Sequence, residues 1–110
     1  MNLQPGEIWL ADLGLAAKMR PVVIVSRADP SPPRALAIYV PLTTQNRKSL
    51  YEVELPKLGF LNAMSFANVQ GIASIPEIRL ERRIGVLPRA TMAEIRRALL
   101  FALDLDRSTG

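Results

Sequence analysis

The most restrictive feature of this sequence is the shortness of its apolar runs, which turn-forming residues interrupt throughout the first 87 positions. Runs of about five to seven residues between Gly, Pro and polar clusters are typical of strands, because helices usually need about ten residues or more. The strand candidates are residues 7–13, 21–26, 35–40 and 51–55, a less regular stretch over 64–75, and a short run at 84–87. The pattern therefore predicts a mainly β fold.

Local patterns refine three of these segments. Residues 51–55 alternate, which predicts that Tyr, Val and Leu face inward while Glu52 and Glu54 face water. Gly71 suggests a β-bulge within the less regular stretch. Residues 28–34 include three prolines, so we expect a stiff loop without regular structure there.

The C-terminal segment has the pattern of a helix. Thr91 and Glu94 have the Thr-x-x-Glu spacing of a capping box, and the helix that they open is expected to end near Leu103. One helical face carries the apolar residues Met92, Ile95, Leu99 and Leu103. A second face carries Leu100 and Phe101, which indicates either deeper burial or a protein partner.

The order of these elements indicates the fold class. Five or six short strands followed by one helix favour a small, strongly curved antiparallel barrel, and an SH3-like barrel is one such fold. A chain of 110 residues has room for one such domain, which we expect to span residues 1–110.

The absence of two residue types excludes several catalytic mechanisms and structural sites. The chain contains no Cys and no His, which excludes disulfide scaffolds, zinc fingers, His-based triads and the His-pair ribonuclease mechanism. The ten carboxylates form no cluster that resembles a two-metal nuclease or a calcium loop. We therefore expect neither a metal site nor a cofactor.

The charge balance leaves two interpretations open. The chain contains fourteen Lys and Arg residues and ten Asp and Glu residues. Eleven of the cations are Arg, the side chain best suited to bidentate phosphate binding. An ordinary solvated surface would explain this excess, and so would a nucleic-acid partner. No apolar run is long enough to span a membrane, and the N-terminal segment lacks the pattern of a signal peptide, so a cytoplasmic location is expected.

Two short motifs could carry chemistry. Pro21 forces the residue before it into an extended conformation, so Arg20 is held at the mouth of a strand, either to bind a phosphate or to cover the core with its aliphatic stem. Thr43 and Thr44 open a polar loop, where a hydroxyl could bind a phosphate or simply bond the local backbone.

Other residues near these motifs could contact a nucleic acid. Arg47 and Lys48 would form a cationic rim for its backbone. Trp9 and Tyr39 could stack on bases, although such side chains more often pack in the core.

Several segments together resemble the MazF/PemK family of toxin endoribonucleases. The most specific are GEIWLADL at residues 6–13 and RPVVIVS at residues 20–26, followed by PLTTQ at residues 41–45. The resemblance continues through residues 59–60, 68–70 and 79–87 and into the helix at 92–99. The loop at residues 14–19 is shorter than is usual in the family and lacks hydroxyl and amide side chains.

The resemblance implies a CcdB/MazF-type SH3-like barrel with a C-terminal helix that forms homodimers. It implies a toxin that cleaves single-stranded RNA, such as mRNA, sequence-specifically and without metal, and that a cognate antitoxin inhibits. The family's key arginine falls on Arg20 and its key threonine on Thr43, with Thr44 as the alternative register; Arg20 and Thr43 would be the catalytic residues. The residues expected to bind RNA are Lys18, Thr44, Gln45, Arg47, Lys48 and Gln70.

This route would use the 2′-hydroxyl of the RNA as nucleophile. Arg20 and Thr43 would stabilise the charge that develops on the phosphoryl oxygens. Arginine stays protonated in proteins, so Arg20 is a poor general base, and the sequence offers no other candidate. Glu7 and Asp12 are candidate partners that hold a cation in place.

Two alternative functions stay open at this point. One is a CcdB-like poison of a protein target such as gyrase, since a fold does not determine a function. The other is a catalytically degenerate module that binds RNA or an antitoxin. The pairing of Arg20 with Thr43 favours the ribonuclease, because a gyrase poison does not need it.

Overall fold

The computed structural model describes residues 2–14 and 18–107. In chain order the strands are β1 (Glu7–Asp12), β2 (Met19–Ile24), β3 (Leu36–Thr43), β4 (Glu52–Glu54), β5 (Phe66–Asn68), β6 (Ala73–Pro76) and β7 (Leu80–Val86). Two short 3-10 helices, Val69–Gly71 and Glu77–Arg79, flank β6, and the helix α1 (Arg89–Ala102) follows β7. The prediction of a mainly β chain with a C-terminal helix is confirmed.

The strands form one antiparallel sheet in the order β4-β5-β3-β2-β1-β7. The long strand β3 pairs with β6 along its first half and with β5 at its end, so it belongs to both parts of the sheet. The pairing of β1 with β7 shifts register twice, which is typical of a strongly bent sheet. The sheet is barrel-like, but the pairing order does not close among the described strands.

Two apolar clusters pack on opposite faces of the sheet. One joins the sheet to α1 through residues such as Ile8, Val40 and Ile95, and the other lies on the far side around Val22 and Ile24. The second half of β2, from Val22 to Ile24, is buried on both faces, because its side chains alternate between the two clusters.

The aromatic residues Trp9 and Tyr39 belong to this packing. Both are half-buried against the second cluster, and Trp9 Nε1 donates a hydrogen bond of 3.1 Å to Glu7 Oε1. The structure thus supports the core interpretation of these two rings over base stacking.

The predicted capping box is wrong. Helix α1 begins at Arg89 with Pro88 as its N-cap, and no side chain caps it. Proline supplies a φ of −59° and needs no N–H partner, so the helix can start before Thr91. Thr91 lies inside the first turn and is buried, which removes it from the N-cap position. The C-terminal end, with Leu103 as C-cap, is as predicted.

The helix buries a narrower stripe than the sequence indicates. Met92 and Ile95 are buried as predicted, but Leu103 lies beyond the helix and is 49% exposed. On the second face Leu100 and Phe101 are both exposed, and the Phe101 ring contacts Tyr51 with a centroid distance of 5.3 Å. Deeper burial therefore does not explain the second face.

Three other expectations need correction. Gly71 forms no bulge but ends a 3-10 helix, where a Cβ would lie 2.7 Å from the Pro41 ring. The last strand is longer than predicted and begins at Leu80. Glu54 is exposed as expected, but Glu52 is half-buried and accepts hydrogen bonds from a neighbouring loop.

The proline-rich segment at 28–34 is irregular, as predicted. None of the helices in the described ranges is long and apolar enough to cross a membrane.

Candidate active site

Strands β2 and β3 bring Arg20 and Thr43 together. The two strands pair antiparallel with Val22 opposite Pro41, so the same register carried two residues further sets Arg20 opposite Thr43. Both residues line one surface cleft of about 300 Å³. The Arg-Pro and Pro-Leu-Thr motifs, about twenty residues apart in the chain, therefore meet at one end of the sheet.

The guanidinium of Arg20 is available to a ligand. Arg20 is exposed, and its side chain makes no hydrogen bond or ion pair with any residue in the described ranges. An anionic group in the cleft would therefore find a cation that no carboxylate neutralises.

Thr43 combines the two roles considered for it. Its Oγ1 accepts a hydrogen bond of 3.1 Å from the backbone N–H of Gln45, which is local turn chemistry. The hydroxyl can still donate its own hydrogen, which no acceptor among the described residues takes. The turn thus fixes the oxygen while leaving a donor for a ligand.

The remaining walls of this first cleft come from three segments of the chain. They are formed by Pro21, Leu42, Thr44, Gln45 and Ser65. Ser65 is buried, and its hydroxyl donates to the carbonyl of Ala63 at 3.0 Å. No local sequence pattern predicts Ser65 as a site residue, because only the pairing of β5 with β3 brings it here.

A second cleft of about 390 Å³ adjoins the first and shares Thr43 and Gln45 with it. Its other lining residues are Arg47, Ser49, Tyr51, Glu52, Asn68 and Gln70. Arg47, Gln45 and Gln70 were predicted to bind RNA, whereas the other four were not. The two clefts together form a continuous surface along the end of β3.

The loop between β3 and β4 is held by Glu52. Its Oε1 accepts hydrogen bonds from the backbone N–H of Arg47 at 3.1 Å and from the N–H and hydroxyl of Ser49 at 3.3 and 3.2 Å. Lys48 has a φ of +53°, and its N–H donates to Asn46 Oδ1 at 2.8 Å. These contacts set the position of Arg47 beside the second cleft.

Some predicted residues lie outside both clefts. Lys18 and Lys48 are exposed, and neither lines a cleft. Residues 15–17 of the short loop between β1 and β2 lie outside the described residues. Glu7 and Asp12 do hold cations, but these are Arg83 at 3.1 Å and Arg79 at 3.9 Å, not Arg20.

A further cleft, larger than either of these two, lies elsewhere on the molecule. It measures about 410 Å³ and lies between the proline-rich segment, β3 and β6, with an apolar wall that includes Leu36 and Ile38. It contains none of the predicted site residues, so size alone does not identify the site. In the ranges that the structure describes, no three His, Cys, Asp or Glu side chains converge as metal ligands.

Comparison with known proteins places this geometry in a family. A family model described as PemK-like, MazF-like toxin of type II toxin-antitoxin system matches residues 4–103. A probable endoribonuclease MazF5 of Mycobacterium tuberculosis is 32% identical over 103 residues, which cover 93% of this chain and 94% of the relative.

Solved structures agree in fold. A mycobacterial endoribonuclease in complex with its cognate antitoxin has a TM-score of 0.84 and 27% identity, covering 96% of this chain and 99% of that chain. The Mycobacterium tuberculosis toxin MazF-mt6 has a TM-score of 0.80 and 31% identity, covering 94% of this chain and 100% of that chain. The resemblance seen in the sequence is confirmed, and the chain belongs to the PemK-like, MazF-like toxins of type II toxin-antitoxin systems.

Proposed function

We propose that this toxin is an endoribonuclease that cleaves single-stranded RNA at specific sequences without a metal ion. The observation that carries the proposal is the unpaired Arg20 guanidinium beside the Thr43 hydroxyl in one cleft. The names of its relatives support it, since both the curated relative and a structural neighbour are endoribonucleases. They give no support to a gyrase poison.

The proposed reaction is a transfer within the RNA itself. The 2′-hydroxyl oxygen attacks the adjacent phosphorus and loses its proton, while the bond from phosphorus to the 5′-oxygen breaks and that oxygen gains a proton. The products are a 2′,3′-cyclic phosphate and a 5′-hydroxyl. Negative charge grows on the phosphoryl oxygens on the way, and preorganised donors stabilise it most effectively.

Arg20 and Thr43 have the chemistry for that task. The planar guanidinium can donate two hydrogen bonds to the phosphoryl oxygens, and the Thr43 hydroxyl can donate a third. Proton transfer is left to water, because an arginine side chain is a poor base and, of the described carboxylates, only Glu52 lines either cleft. Glu52 lines the second cleft but not the first cleft, which contains Arg20.

The same cleft would serve regulation by an antitoxin. The chain carries a net charge of +4, and Arg20 and Arg47 border the two clefts. An acidic antitoxin segment that folds on binding would compete with RNA for these cations. We further propose a homodimer, to which the exposed Leu100 and Phe101 would contribute apolar surface, and a cytoplasmic location, where mRNA is available.

Cleavage is expected to persist in EDTA. The described side chains offer no cluster of metal ligands, and the proposed donors are an arginine and a threonine. Purified protein would be incubated with a long single-stranded RNA in EDTA, with and without added magnesium, and the fragments resolved on a denaturing gel. Equal cutting in both conditions supports the proposal. Cutting that disappears in EDTA and returns with magnesium would overturn it.

A further inference from the structure

The second cleft contains a carboxylate beside the proposed phosphate site. Glu52 lines this cleft together with Thr43, which also lines the first cleft. A carboxylate repels a phosphate, so the part of this cleft around Glu52 is less suited to the RNA backbone than the part around Arg47. It is suited to a part of the RNA that presents hydrogen-bond donors.

The two carboxylate oxygens of Glu52 differ in their hydrogen bonding. Oε1 accepts three hydrogen bonds from Arg47 and Ser49, which hold the side chain in place. Oε2 accepts none from the residues in the described ranges. Glu52 is half-buried, so its free oxygen is an acceptor that the loop fixes in position.

The other walls of the cleft suit a nucleobase. Asn68 and Gln70 supply amide groups, and Tyr51 supplies an aromatic ring that contacts the Phe101 ring at a centroid distance of 5.3 Å. Amides and aromatic rings are the groups with which proteins bind the exposed bases of single-stranded RNA.

We propose that the second cleft binds the base of a nucleotide next to the cut and that Glu52 selects a base with an exocyclic amino group. Cytosine, adenine and guanine have such a group, and it can donate a hydrogen bond to a carboxylate. Uracil has none, and its single N–H lies between two carbonyl oxygens, which the carboxylate repels. Glu52 is thus a specificity residue of the proposed ribonuclease, and the inference depends on that function.

The test compares the wild-type protein with Glu52→Gln. The glutamine oxygen can keep the hydrogen bonds to the loop, while its NH₂ group replaces the free acceptor with a donor. Both proteins would cut a single-stranded RNA library with random sequence, and the cut sites would be read by sequencing. Wild type should disfavour uracil at one fixed position near the cut. Glu52→Gln should shift the ratio at that position toward uracil by about tenfold.

Glu54→Gln is the matched control, since Glu54 lies on the same strand but is exposed outside both clefts. It should keep the wild-type pattern. Cutting by Glu52→Gln with an unchanged base preference at every position would overturn the inference and leave the ribonuclease assignment intact. Circular dichroism and thermal unfolding would show whether the variants fold.

A binding assay separates this inference from the proposed function. Short 2′-O-methyl RNAs lack the nucleophile, so they report recognition without cleavage. Wild type should bind cytosine-rich and adenine-rich strands more tightly than uracil-rich strands, and Glu52→Gln should reduce that difference. Equal wild-type affinity for all of them would overturn the inference even if no RNA is cut, whereas discrimination without any cutting would contradict only the proposed function.

Discussion

Replacing Arg20 by alanine is expected to lower the rate of RNA cleavage by about 100- to 1,000-fold. In the proposed mechanism Arg20 is a charged donor to the oxygens on which negative charge develops, and losing one such donor typically has an effect of about that size. Arg20 is exposed, and its side chain makes no hydrogen bond or ion pair with the described residues, so truncating that side chain should leave the fold intact. Initial rates on an RNA of defined sequence would measure the effect.

Arg96→Ala is a suitable control for this variant. Arg96 is exposed on α1, carries the same charge and lines neither cleft. Because alanine is a good helix former, the control should fold and cut like wild type. If Arg20→Ala cut RNA at the wild-type rate, the assignment of the site would be wrong.

Thr43→Ala should cause a loss of similar size, about 100-fold or more. The change removes the hydroxyl donor and also the acceptor for the Gln45 N–H, which the turn uses. Thr43→Ser keeps a hydroxyl and should recover most of the activity. Rates for the three proteins on the same RNA would separate loss of the hydroxyl from loss of the methyl group.

Thr44 provides the comparison that fixes the register. It is exposed and lines the first cleft, but it is one residue beyond the end of β3. Thr44→Ala should reduce cleavage much less than Thr43→Ala. A larger loss for Thr44→Ala would move the catalytic position by one residue.

Much of the fold could be predicted because short-range patterns determine it. The alternation around Val53 and Leu55 and the β-branched run at Val22–Ile24 correspond to buried positions in the structure. The prediction of a capping box failed because the Thr-x-x-Glu spacing lies inside a helix that already begins after Pro88. The prediction of a bulge at Gly71 failed because the glycine is required by close packing against Pro41, about thirty residues earlier in the chain.

The site could be predicted only in part. Arg20 directly precedes Pro21, and Thr43 follows Pro41 by two residues at the end of β3. These local signals agree with the observed cleft. Ser65 and Asn68 reach the clefts only because β5 pairs with β3 and β4, a long-range contact that no local pattern contains. Glu52 looked like an ordinary solvent-facing position, since strand alternation does not reveal the loop donors that fold over it.

The chemistry of the cut ends tests the central claim most directly. Fragments from a digestion in EDTA would be analysed by mass spectrometry and by 5′-phosphorylation with a kinase. Attack by the 2′-hydroxyl predicts a 2′,3′-cyclic phosphate on one fragment and a 5′-hydroxyl, open to phosphorylation, on the other. Fragments with 5′-phosphate ends would show that water attacks instead, and they would contradict the mechanism assigned to Arg20 and Thr43.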